Sequence, residues 1–161
     1  GNPVMYIDDR WLYDEVGDVP EEPYETPIGK AAVRRSGSMV TIVGISFVAR
    51  EAERAGEVLA SEGIDSEVID LRSLKPWDQE TVLASVQKTG RAVVADSGWH
   101  TCGAAAEVAA TISTEAFRFL KAPVQRVALP DAPAPTSREQ EKAYFRDARH
   151  IVEAVKKTLS L

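Results

Sequence analysis

Short apolar stretches rich in β-branched residues alternate with longer amphipathic stretches from residue 27 onward, and this alternation limits the possible folds more than any other feature. The short stretches predict buried strands at residues 39–44, 66–71, 92–95 and 124–129. The others predict helices, one beginning after Ser46 and the rest at residues 77–88, 102–120 and 147–158. Alternation at this spacing is typical of parallel strands joined by right-handed crossovers.

Local signals predict where the first two helices begin and end. Ser46 is expected to cap the first helix, because a serine hydroxyl can accept a hydrogen bond from a free N–H of the first turn. Gly63 is expected to end that helix in the left-handed conformation, with the apolar Ile64 after it. Gly90 is expected to end the second helix.

Residues 31–35 predict one further strand. Only the turn at residues 36–38 separates it from the strand at 39–44, so we expect these two strands to pair antiparallel. The predicted fold class is therefore α/β: a three-layer α/β/α sandwich around an about five-stranded, mostly parallel sheet with one antiparallel strand.

Charge divides the chain into two parts. Residues 1–26 hold eight acidic residues and one arginine, a formal charge of −7, whereas the remainder carries +1. We interpret residues 1–26 as an acidic connector, and residues 27–161 as one domain. The overall charge of −6 gives no electrostatic basis for binding nucleic acid.

Composition also indicates the kind of cellular compartment in which the protein resides. The single cysteine, Cys102, excludes an internal disulfide, which fits a reducing compartment. No apolar run approaches the ~20 residues that a membrane-spanning helix needs, and no charged-then-apolar leader opens the chain. We expect neither membrane insertion nor secretion by a retained signal.

Candidate sites lie in the loops after the predicted strands, where open α/β sheets place their ligands. Position 48 is Val, so residues 44–48 do not form the Gly-x-Ser-x-Gly nucleophile elbow. Residues 96–103 leave a nucleotide-binding loop as an alternative, although they lack the Gly-x-Gly-x-x-Gly pattern. His100 and Cys102 are too close in sequence to aim at one another, and Asp131 among prolines is typical of a turn. The chain therefore shows no self-contained active site.

Two of these loops favour a role in assembly. Residues 97–104 and 130–136 are apolar and rich in small residues or proline. Trp99 in such a loop is the kind of residue that is enriched at the centre of protein interfaces. We therefore predict a homodimer formed through Trp99 and the surface of residues 130–135.

An ordered set of short motifs resembles the C-terminal portion of the beta subunit of thiamine-diphosphate-dependent 2-oxo acid dehydrogenases, within the broader transketolase C-terminal superfamily. The motifs cover nearly the whole chain, at residues 2–7, 27–30, 67–72, 75–78, 81–88, 97–99, 103–107, 122–124 and 126–127. The pyruvate dehydrogenase beta subunit is the nearest resemblance. Residues 8–26 match most loosely.

The resemblance implies a role for the chain in a larger enzyme. The parent would decarboxylate pyruvate or a related 2-oxo acid and transfer the acyl group to lipoyl. In this family thiamine diphosphate, with magnesium, lies between a pyrophosphate-binding domain and a pyrimidine-binding domain, and the pyrimidine-binding domain would precede this chain. Residues 1–26 would then include a remnant of that preceding domain. Asn2 matches a ligand of a monovalent-cation site in some relatives. The fragment itself is expected to bind no cofactor and to lack the parent's activity.

The resemblance also implies partners. These are an alpha subunit, a second beta subunit and, at the chain end, the dihydrolipoyl acyltransferase core; the compartment would be the cytoplasm or the mitochondrial matrix. The expected interface residues are Trp99, His100, Lys121, Asp131 and Leu161. Relatives carry Asp at the position of Lys121, which makes docking to a standard acyltransferase core doubtful. A transketolase-type two-carbon transferase is the alternative parent.

Overall fold

The computed structural model describes residues 2, 3, 5, 7 and 9–160. Its strands are β1 (Ala32–Arg35), β2 (Val40–Gly44), β3 (Ser66–Asp70), β4 (Ala92–Trp99) and β5 (Gln125–Leu129). Its helices are α1 (Val48–Ser61), α2 (Gln79–Thr89), α3 (Ala104–Glu115), α4 (Arg138–Tyr144) and α5 (Ala148–Leu159), with 3-10 turns at Arg10–Leu12 and Phe117–Phe119. None of the helices in these described ranges is long and apolar enough to cross a bilayer.

The five strands form one sheet in the order β1-β3-β2-β4-β5. Strands β2 to β5 run parallel, and β1 is antiparallel to its neighbour β3. The predicted fold class is therefore confirmed, including the single reversed strand.

Helices cover both faces of the sheet because strand residues alternate between the two faces. One face packs against α1 and α5 through a core that includes Ile42, Val68, Leu59 and Ile151. The other packs against α2 and α3 through a core that includes Val43 and Ile112 among others. The three layers are those expected from the sequence.

The partner of β1 differs from the prediction. The short connection from β1 does not fold back on β2 but crosses the beginning of β3, and β1 pairs with β3 instead. Gly37 makes this crossing possible, because a Cβ atom at that position would lie 2.2 Å from the carbonyl carbon of Ser66. The backbone N–H groups of Ser38 and Met39 both donate to the carbonyl oxygen of Asp65, which fixes the crossing.

The signals at the helix ends were partly correct. Gly63 adopts the predicted left-handed conformation, with φ of 79°, and Gly90 ends the second helix as predicted, with φ of 74°. Ile64 follows Gly63 into the α1/α5 core, and its N–H donates to the carbonyl of Leu59. The prediction for Ser46 was wrong: its own φ is 58°, and no side-chain hydrogen bond caps α1.

Three other predicted bounds also change. Strand β4 continues four residues beyond the predicted end, to Trp99. Helix α3 begins at Ala104 and ends at Glu115, and the chain then tightens into the 3-10 turn that brings Leu120 back against the core. Helix α4 lies between the predicted strand at residues 124–129 and the predicted helix at residues 147–158, where no helix was predicted.

Candidate functional site

The carboxyl edge of the sheet gathers the loops that follow β2, β3, β4 and β5, because parallel strands all end there. Three non-glycine residues in these loops have left-handed backbone conformations: Ser46, Arg72 and Cys102, with φ of 58°, 60° and 59°. Such residues persist only where their surroundings hold them, and they cluster at functional sites. Within the described residues, all the non-glycine residues of this kind lie at this edge.

Asp96, buried near the end of β4, organises the loop that presents Trp99. Its carboxylate accepts the N–H of Gly98 at 3.0 Å and the N–H of Ala105, in the first turn of α3, at 3.2 Å. A negative charge is favoured there because a helix N-terminus carries a partial positive charge. The loop is also tight: a Cβ atom on Gly103 would lie 2.2 Å from the carbonyl oxygen of Trp99.

A second set of contacts ties this loop to β5 and to the loop after it. Asp131 accepts hydrogen bonds from the backbone N–H of Thr101 at 2.9 Å and from its hydroxyl at 2.6 Å. The hydroxyl contact is the main cause that lowers the pKa of Asp131 below its usual range. The His100 N–H donates to the carbonyl of Leu129, and the Arg126 guanidinium donates to the carbonyl of His100 at 2.8 Å. Asp131 is thus a brace between two loops.

The indole of Trp99 is held in place and still exposed. Its Nε1–H donates to the Tyr144 hydroxyl at 3.2 Å, and that hydroxyl donates to the carbonyl of Ala132 at 2.7 Å. Trp99 nevertheless remains 57% exposed. It lines a shallow depression of about 240 Å³ together with Asp131, Ala132 and Pro133. The structure therefore places three of the predicted interface residues, Trp99, His100 and Asp131, on one surface.

Lys121 lies elsewhere, near the amino edge of the sheet. Its Nζ donates to the carbonyl oxygen of Thr89 at 3.3 Å, and its backbone N–H donates to the carbonyl of Gly90. Both acceptors are at the C-terminal end of α2, where a positive charge is favoured. Lys121 therefore satisfies a helix end within the domain and does not share a surface with Trp99.

The two remaining predicted residues are at the chain ends. The side chain of Asn2 is exposed, and Leu161 lies outside the described residues. Among the residues that the structure describes, no group of three or more His, Cys, Asp or Glu side chains is arranged to hold a metal ion. In the same part of the chain, His100 and Cys102 share no hydrogen bond, so they do not form a base–nucleophile pair.

Sequence reasoning missed the residues that fix the Trp99 loop from a distance. Arg126 is on β5 and Tyr144 is on α4, 26 residues from His100 and 45 residues from Trp99 respectively. Tyr144 gave one signal, since it is a large aromatic residue among charged ones and is buried in the structure. Nothing in its sequence neighbourhood indicated which group it would contact.

Comparison with known proteins gives consistent matches. A sequence profile of the transketolase C-terminal domain matches residues 29–151. The chain is 41% identical over 156 residues to the pyruvate dehydrogenase E1 component subunit beta of Rickettsia felis, covering 97% of this chain and 48% of the relative. It is 39% identical over 158 residues to the acetoin:2,6-dichlorophenolindophenol oxidoreductase subunit beta of Cupriavidus necator, covering 98% and 47%.

A solved structure agrees with these relatives. A split gene transketolase, described as an inactive beta4 tetramer, superposes with a TM-score of 0.75 at 32% identity, covering 91% of this chain and 46% of that one. The chain thus spans about half the length of the relatives that it matches. The resemblance inferred from the short motifs is confirmed. By its fold, and by a profile match over most of its length, the chain belongs to the transketolase C-terminal domain family.

Proposed function

We propose that this chain is the C-terminal, subunit-assembly domain of a 2-oxo acid dehydrogenase beta subunit. The observation that carries the proposal is the Trp99 surface, because its indole is exposed and yet held in one position. The buried carboxylate of Asp96 and the contacts of Asp131 and Arg126 order the loop that presents it, and the Tyr144 hydroxyl binds the indole itself. We define the Trp99 surface as Trp99, His100 and residues 131–133. Its proposed partner is the same surface of a second copy, as in an isologous dimer.

The physical basis is preorganisation. A protein interface loses affinity when its loops and side chains must be ordered on binding, and a surface that is already ordered avoids this loss. Tryptophan is among the residues whose truncation weakens interfaces most. A relative of similar fold is described as a beta4 tetramer, which supports self-association of the parent's beta chain.

The parent reaction is proposed from the relatives, whose names describe beta subunits that act on pyruvate or acetoin. The parent would decarboxylate a 2-oxo acid and transfer the acyl group to lipoyl, together with an alpha subunit. Residence of the parent in the cytoplasm or the mitochondrial matrix belongs to the same proposal. A mitochondrial relative is known from Dictyostelium discoideum, at 39% identity.

Thiamine diphosphate and magnesium would supply the decarboxylation chemistry of the parent. Among the described residues, no three carboxylate, His or Cys side chains converge on a possible metal position. We propose that the remainder of the parent holds the cofactor, and we assign no step of the reaction to this chain. Asn2 would contribute to a cation site only alongside ligands from elsewhere in the parent.

Sedimentation of the full chain tests the assembly role. We expect a dimer at tens of micromolar, and Trp99→Ala should raise the dissociation constant at least about tenfold. Phe117→Ala is the matched control, since Phe117 is a large aromatic residue that is 72% exposed and lies outside the Trp99 surface. A clean monomer that Trp99→Ala does not affect would contradict the proposal.

Activity tests the parent assignment. The reading frame that contains this sequence, expressed with its alpha subunit, should reduce an artificial electron acceptor in the presence of pyruvate, thiamine diphosphate and magnesium. The 161-residue chain alone should not decarboxylate pyruvate under the same conditions. Decarboxylation by the chain alone would overturn the proposal.

A transketolase-type two-carbon transferase is the second candidate, favoured by the match to the split gene transketolase. The same assembled parent distinguishes the two. Turnover of a ketose phosphate with an aldose phosphate acceptor, without turnover of pyruvate, would select the transferase.

A further inference from the structure

The acidic connector contains a compact segment that packs against the domain. Asp9 caps the 3-10 turn at Arg10–Leu12, because its carboxylate accepts the N–H of Trp11 at 3.1 Å. The N–H of Glu15 donates to the carbonyl of Leu12 and extends the turn. We call residues 9–15 the strap.

The aromatic part of the strap lies on two rings of the domain. The centroid of the Trp11 ring is 5.1 Å from that of Phe47 and 4.9 Å from that of Phe145, with interplanar angles of 73° and 55°. Phe47 immediately precedes α1, and Phe145 lies between α4 and α5. Distances and angles of this kind are typical of favourable edge-to-face and tilted aromatic pairs.

The charged part of the strap binds two arginines of α1. The Glu15 carboxylate lies 2.9 Å from Arg50 and 2.8 Å from Arg54, one oxygen to each. Each arginine is also paired with a glutamate of its own helix, Arg50 with Glu53 and Arg54 with Glu51. These pairs within α1 help to hold both guanidinium groups in the orientation that meets Glu15. The hydrogen bond from Arg50 is the main cause that holds the pKa of Glu15 below its usual range.

The strap lies at the part of the sheet where open α/β folds bind ligands. From β2 the chain moves to β3 on one side and later to β4 on the other, so the ends of β2 and β4 flank the topological switch point where open α/β sheets bind ligands. Trp11, which is itself 51% exposed, lines a partly open cavity of about 70 Å³ at this point. The strap lines it together with residues of β4, β5, the start of α1 and the α4–α5 junction: Asp9, Trp11, Phe47, Val48, Ser97, Leu129, Phe145 and Arg146.

We propose that this crevice is a peptide-binding site for a tryptophan followed four residues later by a glutamate, and that the strap of the same chain occupies it. The strap thereby fixes where the acidic connector leaves the domain. The packing of Trp11 between two aromatic rings makes the site selective for the shape of the side chain. The ion pairs of Glu15 add an electrostatic attraction, which salt screens. This inference does not depend on the activity of the parent.

Limited trypsin digestion of the full chain tests the proposal, because the bond between Arg10 and Trp11 lies inside the strap. When undocking is faster than cleavage, the cleavage rate follows the undocked population. Glu15→Gln should accelerate cleavage at this bond about fivefold at low salt, since both ion pairs are lost. Glu22→Gln is the matched control: it removes one carboxylate from the same connector, outside the strap, and should leave the rate unchanged.

Salt and a second variant make the test decisive. Raising NaCl from about 0.02 M to about 0.5 M should accelerate cleavage of the wild type more than that of Glu15→Gln, which also corrects for any effect of salt on trypsin. Phe47→Ala should also accelerate cleavage, and urea denaturation of this variant should show that the domain remains folded. Equal rates for wild type and Glu15→Gln at low salt would overturn the proposal, and so would protection that disappears on dilution, since that result would mean that the strap docks between copies.

Discussion

The buried carboxylate of Glu51 on α1 accepts the backbone N–H of Ala148, the first residue of α5, at 2.9 Å. The two residues are 97 positions apart in the sequence, and this bond joins the helices that cover one face of the sheet. The acceptor satisfies an N–H that would otherwise be free at the helix N-terminus, and its negative charge suits that position.

Replacement of Glu51 by alanine should therefore destabilise the domain. We expect a loss of about 2 kcal/mol in the free energy of unfolding, because a partly buried N–H loses its acceptor. Urea denaturation measures the loss. Glu57→Ala, on the exposed face of the same helix, is the control and should change stability by less than about 0.5 kcal/mol. Equal effects of the two substitutions would contradict the role of Glu51.

Gly37→Ala should disrupt the crossing between β1 and β2. The added Cβ would meet the backbone of Ser66, where no flexible side chain can move aside. We expect a loss of about 2 kcal/mol or more in the free energy of unfolding. Gly17→Ala is the control, because a Cβ at Gly17 meets no atom within 4 Å. If both variants unfold at the wild-type urea midpoint, the close approach at Gly37 is not needed.

Asp147 should make the stability depend on pH in acid. It is the N-cap of α5, and hydrogen bonds from Arg149 and His150 lower its pKa from 3.8 to about 2, outweighing the opposing effect of burial. Because the folded-state pKa lies below the ordinary value, the stabilisation is fully present above about pH 4 and is lost as the pH falls toward 2.

The comparison with Asp147→Asn isolates this effect, since asparagine is also a good N-cap but does not titrate. The difference in free energy of unfolding between the wild type and the variant should be largest above pH 4 and should shrink between pH 4 and pH 2. Urea denaturation over this range measures it. A difference that does not change with pH would show that the charge of Asp147 contributes nothing.

Asp96→Ala should loosen the loop that presents Trp99. The N–H groups of Gly98 and Ala105 lose their shared acceptor, so we expect a loss of about 1–2 kcal/mol in stability. Hydrogen exchange of the amides of residues 98–105 should become faster. Asp131→Ala removes a carboxylate of the same region that binds only Thr101 among the described residues, and should affect the Thr101 amide without affecting that of Gly98. Unchanged exchange at Gly98 in Asp96→Ala would contradict this organisation.

The contacts of the acidic connector are a feature of the structure that the sequence did not predict. Its charge predicted only an acidic connector, and nothing in the sequence indicated that Glu15 differs from Glu21 or Glu22. In the structure Glu15 binds Arg50 and Arg54, and Trp11 packs against two aromatic rings. These contacts depend on which side chains α1 and the α4–α5 junction present after they have packed on the sheet.

The sequence by itself determined the strands of the sheet, the helices between them, the left-handed ends at Gly63 and Gly90 and the three layers, since each follows from the period of apolar residues or from the conformational freedom of a single glycine. Only the tertiary structure decided the partner of β1, the braces of the Trp99 loop and the docking of the strap. Each of these joins groups that are distant in the chain. A local sequence pattern predicts that a side chain will be buried or hydrogen-bonded, but it does not identify the residue that will contact it.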